Sequence, residues 1–246
     1  MKNLIYLLLL SMTIPSCKKE EARQVNQYTI EQFYTNTRFE GGTFSADETR
    51  LLVGSDETGI FNLYEITLAD GAKKQLTTST VESYYPVDYV PGMSALIYSA
   101  DKGGNEIDHL YLLEDNGKTT DLTPGENNKV SFFKWSEDKK SMFYISNIRD
   151  PKYFDVYKMN IGEWIPTLFY ENKSGLDVNE ISDDEKTLVV SKTVTTSENE
   201  LYLVNKETGT QTELSLPDQK GRYGVSGISK DSKYVFYLTD GGKEFT

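Results

Sequence analysis

The chain carries one cysteine and one histidine in 246 residues. A disulfide needs two cysteines and a structural zinc ion needs four Cys or His ligands, so neither can form within it. No transition-metal site and no cofactor are expected. Calcium loops alternate their carboxylates in a D-x-D-x-D-G pattern, which Asp183-Asp184-Glu185 lacks; that triplet reads as a turn. Basic residues are also scarce, with 26 Lys and Arg against 38 Asp and Glu and a formal net charge of −12. Affinity for nucleic acid rests on neutralising phosphates, so this balance speaks against such a partner. No apolar run reaches the ~20 residues needed to cross a bilayer core about 30 Å thick.

What is present favours strands. Hydrophobic residues make up 37% of the chain and aromatics 12%, mostly 17 Tyr and 11 Phe. They fall in short runs with Val, Ile and Thr, separated by Gly, Asp and Asn. That pattern predicts an all-β fold.

The N-terminus is built as an address. Lys2 precedes an apolar stretch from Leu4 to Leu10, then Ser11 to Ser16, then Cys17. The layout is that of a cleaved export signal, residues 1–16. Cys17 follows the small residue Ser16, as in a lipobox, which makes it the expected lipid attachment site; Ile14 and Pro15 depart from the commonest residues there. Lys18-Lys19-Glu20-Glu21 resembles a Lys-then-acidic surface-export signal of bacterial lipoproteins. Residues 17–27 read as a polar tether. Removing 1–16 takes away Lys2 and no acid, moving the net charge from −12 to −13. The expected location is the outer membrane or cell surface, or the periplasmic side, with the membrane held through the lipid.

A repeat runs through the rest. Phe44, Tyr89, Trp135, Ile181 and Ile228 each precede a polar turn, at steps of 45, 46, 46 and 47 residues. An apolar run follows each turn: Leu51-Leu52-Val53, Leu96-Ile97-Tyr98, Met142-Phe143-Tyr144, Leu188-Val189-Val190 and Tyr234-Val235-Phe236-Tyr237. Next comes an apolar residue followed by Tyr, at Tyr64, Tyr111, Tyr157 and Tyr202. A fourth strand is expected to end near Leu76, Leu122, Leu168 and Leu214. Four strands in about 45 residues make a propeller blade. One Tyr per blade at a fixed strand position predicts inter-blade packing, not a binding stripe. The expected architecture is a partial β-propeller over 28–246, with blades at about 37–80, 81–126, 127–172, 173–217 and an incomplete 218–246. The fifth Tyr is due at about 248–250, so the ring is expected to be incomplete, as in a truncated product or a partial gene.

Phe44-Ser45-Ala46-Asp47, then Ser55-Asp56-Glu57-Thr58-Gly59-Ile60-Phe61-Asn62-Leu63-Tyr64, resembles the signature of TolB-type propeller repeats; Ala46 and Glu48 stand where Pro and Gly are usual. Asp101-Lys102-Gly103-Gly104-Asn105-Glu106 with His109-Leu110-Tyr111, Asp121-Leu122-Thr123-Pro124-Gly125-Glu126, and Asn147-Ile148-Arg149-Asp150-Pro151-Lys152-Tyr153-Phe154-Asp155-Val156-Tyr157 resemble consecutive blades of prolyl oligopeptidase family serine peptidases, in the dipeptidyl- and acylaminoacyl-peptidase branch. The resemblance covers about Tyr28 to Thr246. It implies a propeller that admits short peptides to a C-terminal α/β-hydrolase domain, the expected partners being that domain and peptide substrates.

No catalytic residue is expected in the chain itself. The nucleophile elbow G-x-S-x-G is missing, because Gly224-Val225-Ser226-Gly227 is followed by Ile228 and Ser226 falls on an expected strand. His109 sits beside Leu110 on another, with no serine placed for activation, and reads as a hydrogen-bonded structural residue. Arg149 and Asp150 are expected to pair with each other or to cap a turn. The alternative function is a non-catalytic surface lipoprotein whose propeller binds a protein or glycan, since propellers host many functions.

Overall fold

The computed structural model describes residues 25–216 and 218–243. The expected signal segment and Cys17 lie outside them, as does most of the tether. The chain divides into a unit ending at Asn36 and a unit beginning at Thr37. The described part of the first holds one short helix, α1 (Ile30–Tyr34), opened by a capping box. Gln32 N–H donates to Thr29 Oγ1, and Thr29 N–H donates to Gln32 Oε1. These bonds satisfy two amides that a helix start leaves free. The β-oriented sequence reading does not anticipate this turn of helix.

The second unit is five antiparallel sheets, each made of strands consecutive in the chain. The first has β1 (Phe39–Phe44), β2 (Arg50–Ser55), β3 (Asn62–Thr67) and β4 (Lys73–Gln75). The second has β5 (Tyr85–Tyr89), β6 (Ala95–Ala100), β7 (His109–Glu114) and β8 (Thr119–Asp121). The third has β9 (Val130–Trp135), β10 (Ser141–Asp150), β11 (Tyr153–Asn160) and β12 (Pro166–Tyr170). The fourth has β13 (Asp177–Ile181), β14 (Thr187–Thr195), β15 (Glu198–Asn205) and β16 (Gln211–Glu213), and the fifth β17 (Tyr223–Ile228) and β18 (Val235–Thr239). These are four complete propeller blades and a partial fifth. Among the described residues no strand pair joins the fifth sheet to the first.

Each repeat anchor is the last residue of its blade's first strand. Two positions before every anchor the register slips by one residue against the second strand: Gly42, Val87, Phe133, Asn179 and Ser226. A bulge at the same place in all five blades increases the local twist of each inner strand.

The turn after the anchor is also shared. In four blades a serine hydroxyl donates to the Asp two residues on, at 2.6–2.7 Å (Ser45–Asp47, Ser136–Asp138, Ser182–Asp184, Ser229–Asp231). The same hydroxyl accepts the amide that opens the next strand, and the Asp accepts an amide inside the turn. The second blade has Val90-Pro91-Gly92 instead. There Met93 N–H closes on Val90 O, and Gly92 takes φ 73°, as a type II turn with Pro at its second position requires.

The core lies between blades. One face of each second and third strand meets the next blade through Leu52 and Leu63, Ile97 and Leu110, Phe143 and Val156, Val189 and Leu201. The opposite face carries the cross-strand pairs Tyr98–Tyr111, Tyr144–Tyr157 and Val190–Tyr202, which pack back on the preceding blade. The two Tyr pairs stack at 5.2 and 5.5 Å. Burial pushes the Tyr98 and Tyr111 phenols up to about 12.

Candidate functional site

The topology gives the propeller two unlike ends. Tight turns join first to second strands and third to fourth strands at one end. The other, the loop end, collects the second-to-third connections and the linkers between blades, and it bears most of the irregular structure. β10 and β14 run longer than their counterparts β2 and β6, so two hairpins extend at this end.

Inner strands are tied across blades by polar side chains one residue before the anchor. Asp88 accepts from Thr43 Oγ1 in the blade before at 2.8 Å and from Trp135 Nε1 in the blade after at 2.9 Å. Lys134 Nζ donates to Glu180 at 2.7 Å and to the carbonyl of Ile181 at 3.0 Å. The inner strands therefore present Thr, Asp, Lys and Glu in succession. Gly227 holds the matching position in the fifth blade.

A second recurring device holds the linkers. The first residue of β3 and β7, and Asp155 two residues before Tyr157 in β11, are buried polar groups that bind the following linker. Asn62 accepts Ser79 N–H at 2.7 Å and donates to Ser79 O at 3.0 Å. His109 places Nδ1 at 2.8 Å from Asp121 Oδ2 and Nε2 at 2.9 Å from Gly125 O. Asp155 accepts Asn172 N–H at 2.8 Å. Its charge is matched by Arg149, whose guanidinium forks onto both carboxylate oxygens at 2.6 and 2.9 Å and also reaches Asn172 O. That carboxylate holds the Arg149 guanidinium further above its already high ordinary value.

As the sequence reading expects, His109 is a hydrogen-bonded structural residue, buried at the start of β7. Arg149 does not pair with Asp150; it reaches Asp155 across the hairpin, while Asp150 caps its own turn by accepting Lys152 N–H at 2.9 Å. Ser226 lies exposed at the bulge of β17 in the fifth blade, and His109 belongs to the second. The linker-staple position was not singled out from the sequence, because Asn, His and Asp share no type. The signal was positional, two residues before the Tyr of each of the first three blades.

Two cavities open at this end around the second blade. One, of about 380 Å³, is walled by His109, Tyr111, Asp121, Gly125 and Glu126. The other, of about 600 Å³, is bounded by Glu82, Asp101, Glu106 and Asp108 with Lys129. Asp101 and Glu82 also cap the 101–108 loop by accepting Glu106 and Gly103 amides. Among the described residues no cluster of His, Cys, Asp and Glu is arranged to hold a metal ion.

Residues 87–246 match the family model for the prolyl oligopeptidase N-terminal β-propeller domain. The chain belongs to this family. Solved structures agree on the fold of the prolyl oligopeptidase propeller. TolB from Acinetobacter baumannii aligns with a TM-score of 0.54 at 15% identity, over 82% of this chain and 54% of that one. One of two prolyl endopeptidases studied for inter-domain dynamics aligns at 0.59 and 19% identity, over 83% and 32%. A puromycin-hydrolysing peptidase of Mycobacterium tuberculosis aligns at 0.55 and 14% identity, over 85% and 39%. The propeller chain thus spans about half the length of that TolB, about a third of the prolyl endopeptidase and about two-fifths of the puromycin-hydrolysing peptidase. No curated protein matches it in sequence.

Proposed function

We propose that this chain is the propeller portion of an exported serine peptidase of the prolyl oligopeptidase family, filtering short peptides for a C-terminal α/β-hydrolase domain. The observation that carries this reading is the family match over residues 87–246. Topology supports it. A complete blade receives the chain at the loop end and releases it there, so a domain following a completed blade starts at that end. The acidic cavity bounded by Glu82, Asp101, Glu106 and Asp108 attracts cations by Coulomb's law, and the amino terminus is a cationic group that every short peptide with an unblocked end carries. Attachment to the outer membrane or cell surface through a lipid on Cys17 belongs to the same proposal.

The test is to read the gene past codon 246 and assay the full product on dipeptidyl and N-acylaminoacyl chromogenic substrates. Turnover by the full product, with none by residues 17–246, is expected. A stop codon directly after codon 246, or turnover by residues 17–246 alone, overturns the reading. Membrane fractionation of Cys17→Ser tests the anchor separately, with release from the membrane fraction expected. The likeness to TolB favours a second reading, a non-catalytic lipoprotein that binds a protein or glycan. A genuine stop with monomeric behaviour selects it.

A further inference from the structure

We propose that His109 is a proton-controlled staple that fastens the linker between the second and third blades in acid and releases it as the pH rises. Both ring nitrogens face acceptors, Asp121 Oδ2 at 2.8 Å and Gly125 O at 2.9 Å. A neutral imidazole has one N–H. It can satisfy one of these contacts and must set a lone pair against the other oxygen. The two bridges coexist only when the ring carries two protons.

The neighbouring blades sharpen the comparison. At the matching place Asn62 donates and accepts with an amide that does not titrate, and Asp155 is held by the permanent charge of Arg149. Of these three linkers, the one from 121 to 128 alone is fastened by an imidazole. Its remaining ties do not involve the ring: Thr123 N–H to Asp121 Oδ1, Leu110 N–H to Thr123 Oγ1, and Asn128 Nδ2 to Thr123 O. The Asp121 carboxylate, the stronger acceptor, keeps the remaining N–H on Nδ1, so proton loss turns the Nε2 lone pair towards Gly125 O and loosens the Pro124–Glu126 stretch without unfolding the blade. That stretch walls the 380 Å³ cavity, so proton loss opens the cavity on one side.

The titratable and charged groups facing the ring are Asp121 from β8, Tyr111 stacked beside it at 6.2 Å, Glu126 from the linker, and Lys102 from the β6–β7 loop. The Tyr111 phenol, raised to about 12 by burial, stays neutral over the range in which imidazoles titrate. The inference holds whether or not a hydrolase domain follows.

Because His109 is the only histidine, nitrogen NMR of the purified full chain can follow its ring without assignment ambiguity. Amide hydrogen exchange at Asn128, whose N–H donates to the Gly125 carbonyl, is measured through the same titration and corrected for its intrinsic pH dependence. Protection there is expected to fall about tenfold across the ring's transition, the effect of one hydrogen bond, while residues 76–84 stapled by Asn62 do not change. In His109→Gln the Asn128 protection is expected to be independent of pH. Constant protection through the transition, or an equal fall at 76–84, overturns the proposal. The unsubstituted chain decides the matter even if the variant does not fold.

Discussion

Glu48, Lys139, Glu185 and Ser232 adopt φ of 55, 57, 61 and 57°, a left-handed conformation that costs a residue with a Cβ about 1 kcal/mol. Each follows the Ser-x-Asp turn, where propeller repeats usually carry Gly. Glu185 recovers something through Lys158, whose Nζ lies 2.6 Å from its carboxylate. Lys139 is exposed, so Lys139→Gly is expected to stabilise the protein by about 1 kcal/mol, read as a higher denaturant midpoint. The turn carboxyls make a second prediction. The hydroxyl of Ser45 and the hydroxyl and amide of Thr49 lower Asp47 to about 2, and the equivalent bonds lower Asp138, Asp184 and Asp231 below 3.8. Carboxyls that titrate lower in the folded than in the unfolded chain contribute fully above about pH 4, and that contribution disappears as the pH falls towards 2. Thermal midpoints are expected to drop through that window, and Asp47→Asn is expected to make the drop shallower. The turns were legible in the sequence because Ser-x-Asp is local chemistry. The two acceptors at His109 were not, since Asp121 and Gly125 lie 12 and 16 residues away and only their positions in space make both ring nitrogens face acceptors.

Within a blade, the second strand was the easiest element to read. Its apolar run stays buried on both faces because it lies between the first and third strands with a blade on either side. Ile97 occupies this position and is fully buried between the second and third blades. Ile97→Ala is expected to cost about 3 kcal/mol, the usual penalty for a buried cavity of that size, measured by chemical denaturation. The fourth strands were placed only by their Leu ends, since three of them are three residues long and largely exposed. The long hairpins of the third and fourth blades escaped the reading altogether. Their extensions mix polar residues such as Lys192, Thr193 and Arg149 with the exposed Ile148, Phe154 and Val194, so they carry no hydrophobic period, and the third is braced by the Arg149–Asp155 pair, which bridges a register shift.

Between blades the polar ties count as much as the apolar faces. Asp88 joins three inner strands at once, so Asp88→Ala strands the Thr43 hydroxyl and the Trp135 N–H. A loss of about 1–3 kcal/mol is expected in denaturation, with Asp88→Asn recovering part of it. The fifth sheet shows what an uncovered face looks like. Phe236 matches Leu52, Ile97, Phe143 and Val189, which are at most 1% exposed, yet it is 56% exposed, with Tyr234 and Leu238 beside it. Such an apolar patch on an edge strand favours self-association. Phe236→Ser is expected to shift this chain from aggregate towards monomer in size-exclusion chromatography. The fold class, the blade period and the family were all written in the order of residue types, because a repeated blade imposes the same local pattern every 45 to 47 residues. Which polar groups meet across blades, and which apolar face is left bare, depended on contacts between segments tens of residues apart. Those contacts form only when the sheets pack side by side, and no local pattern encodes them.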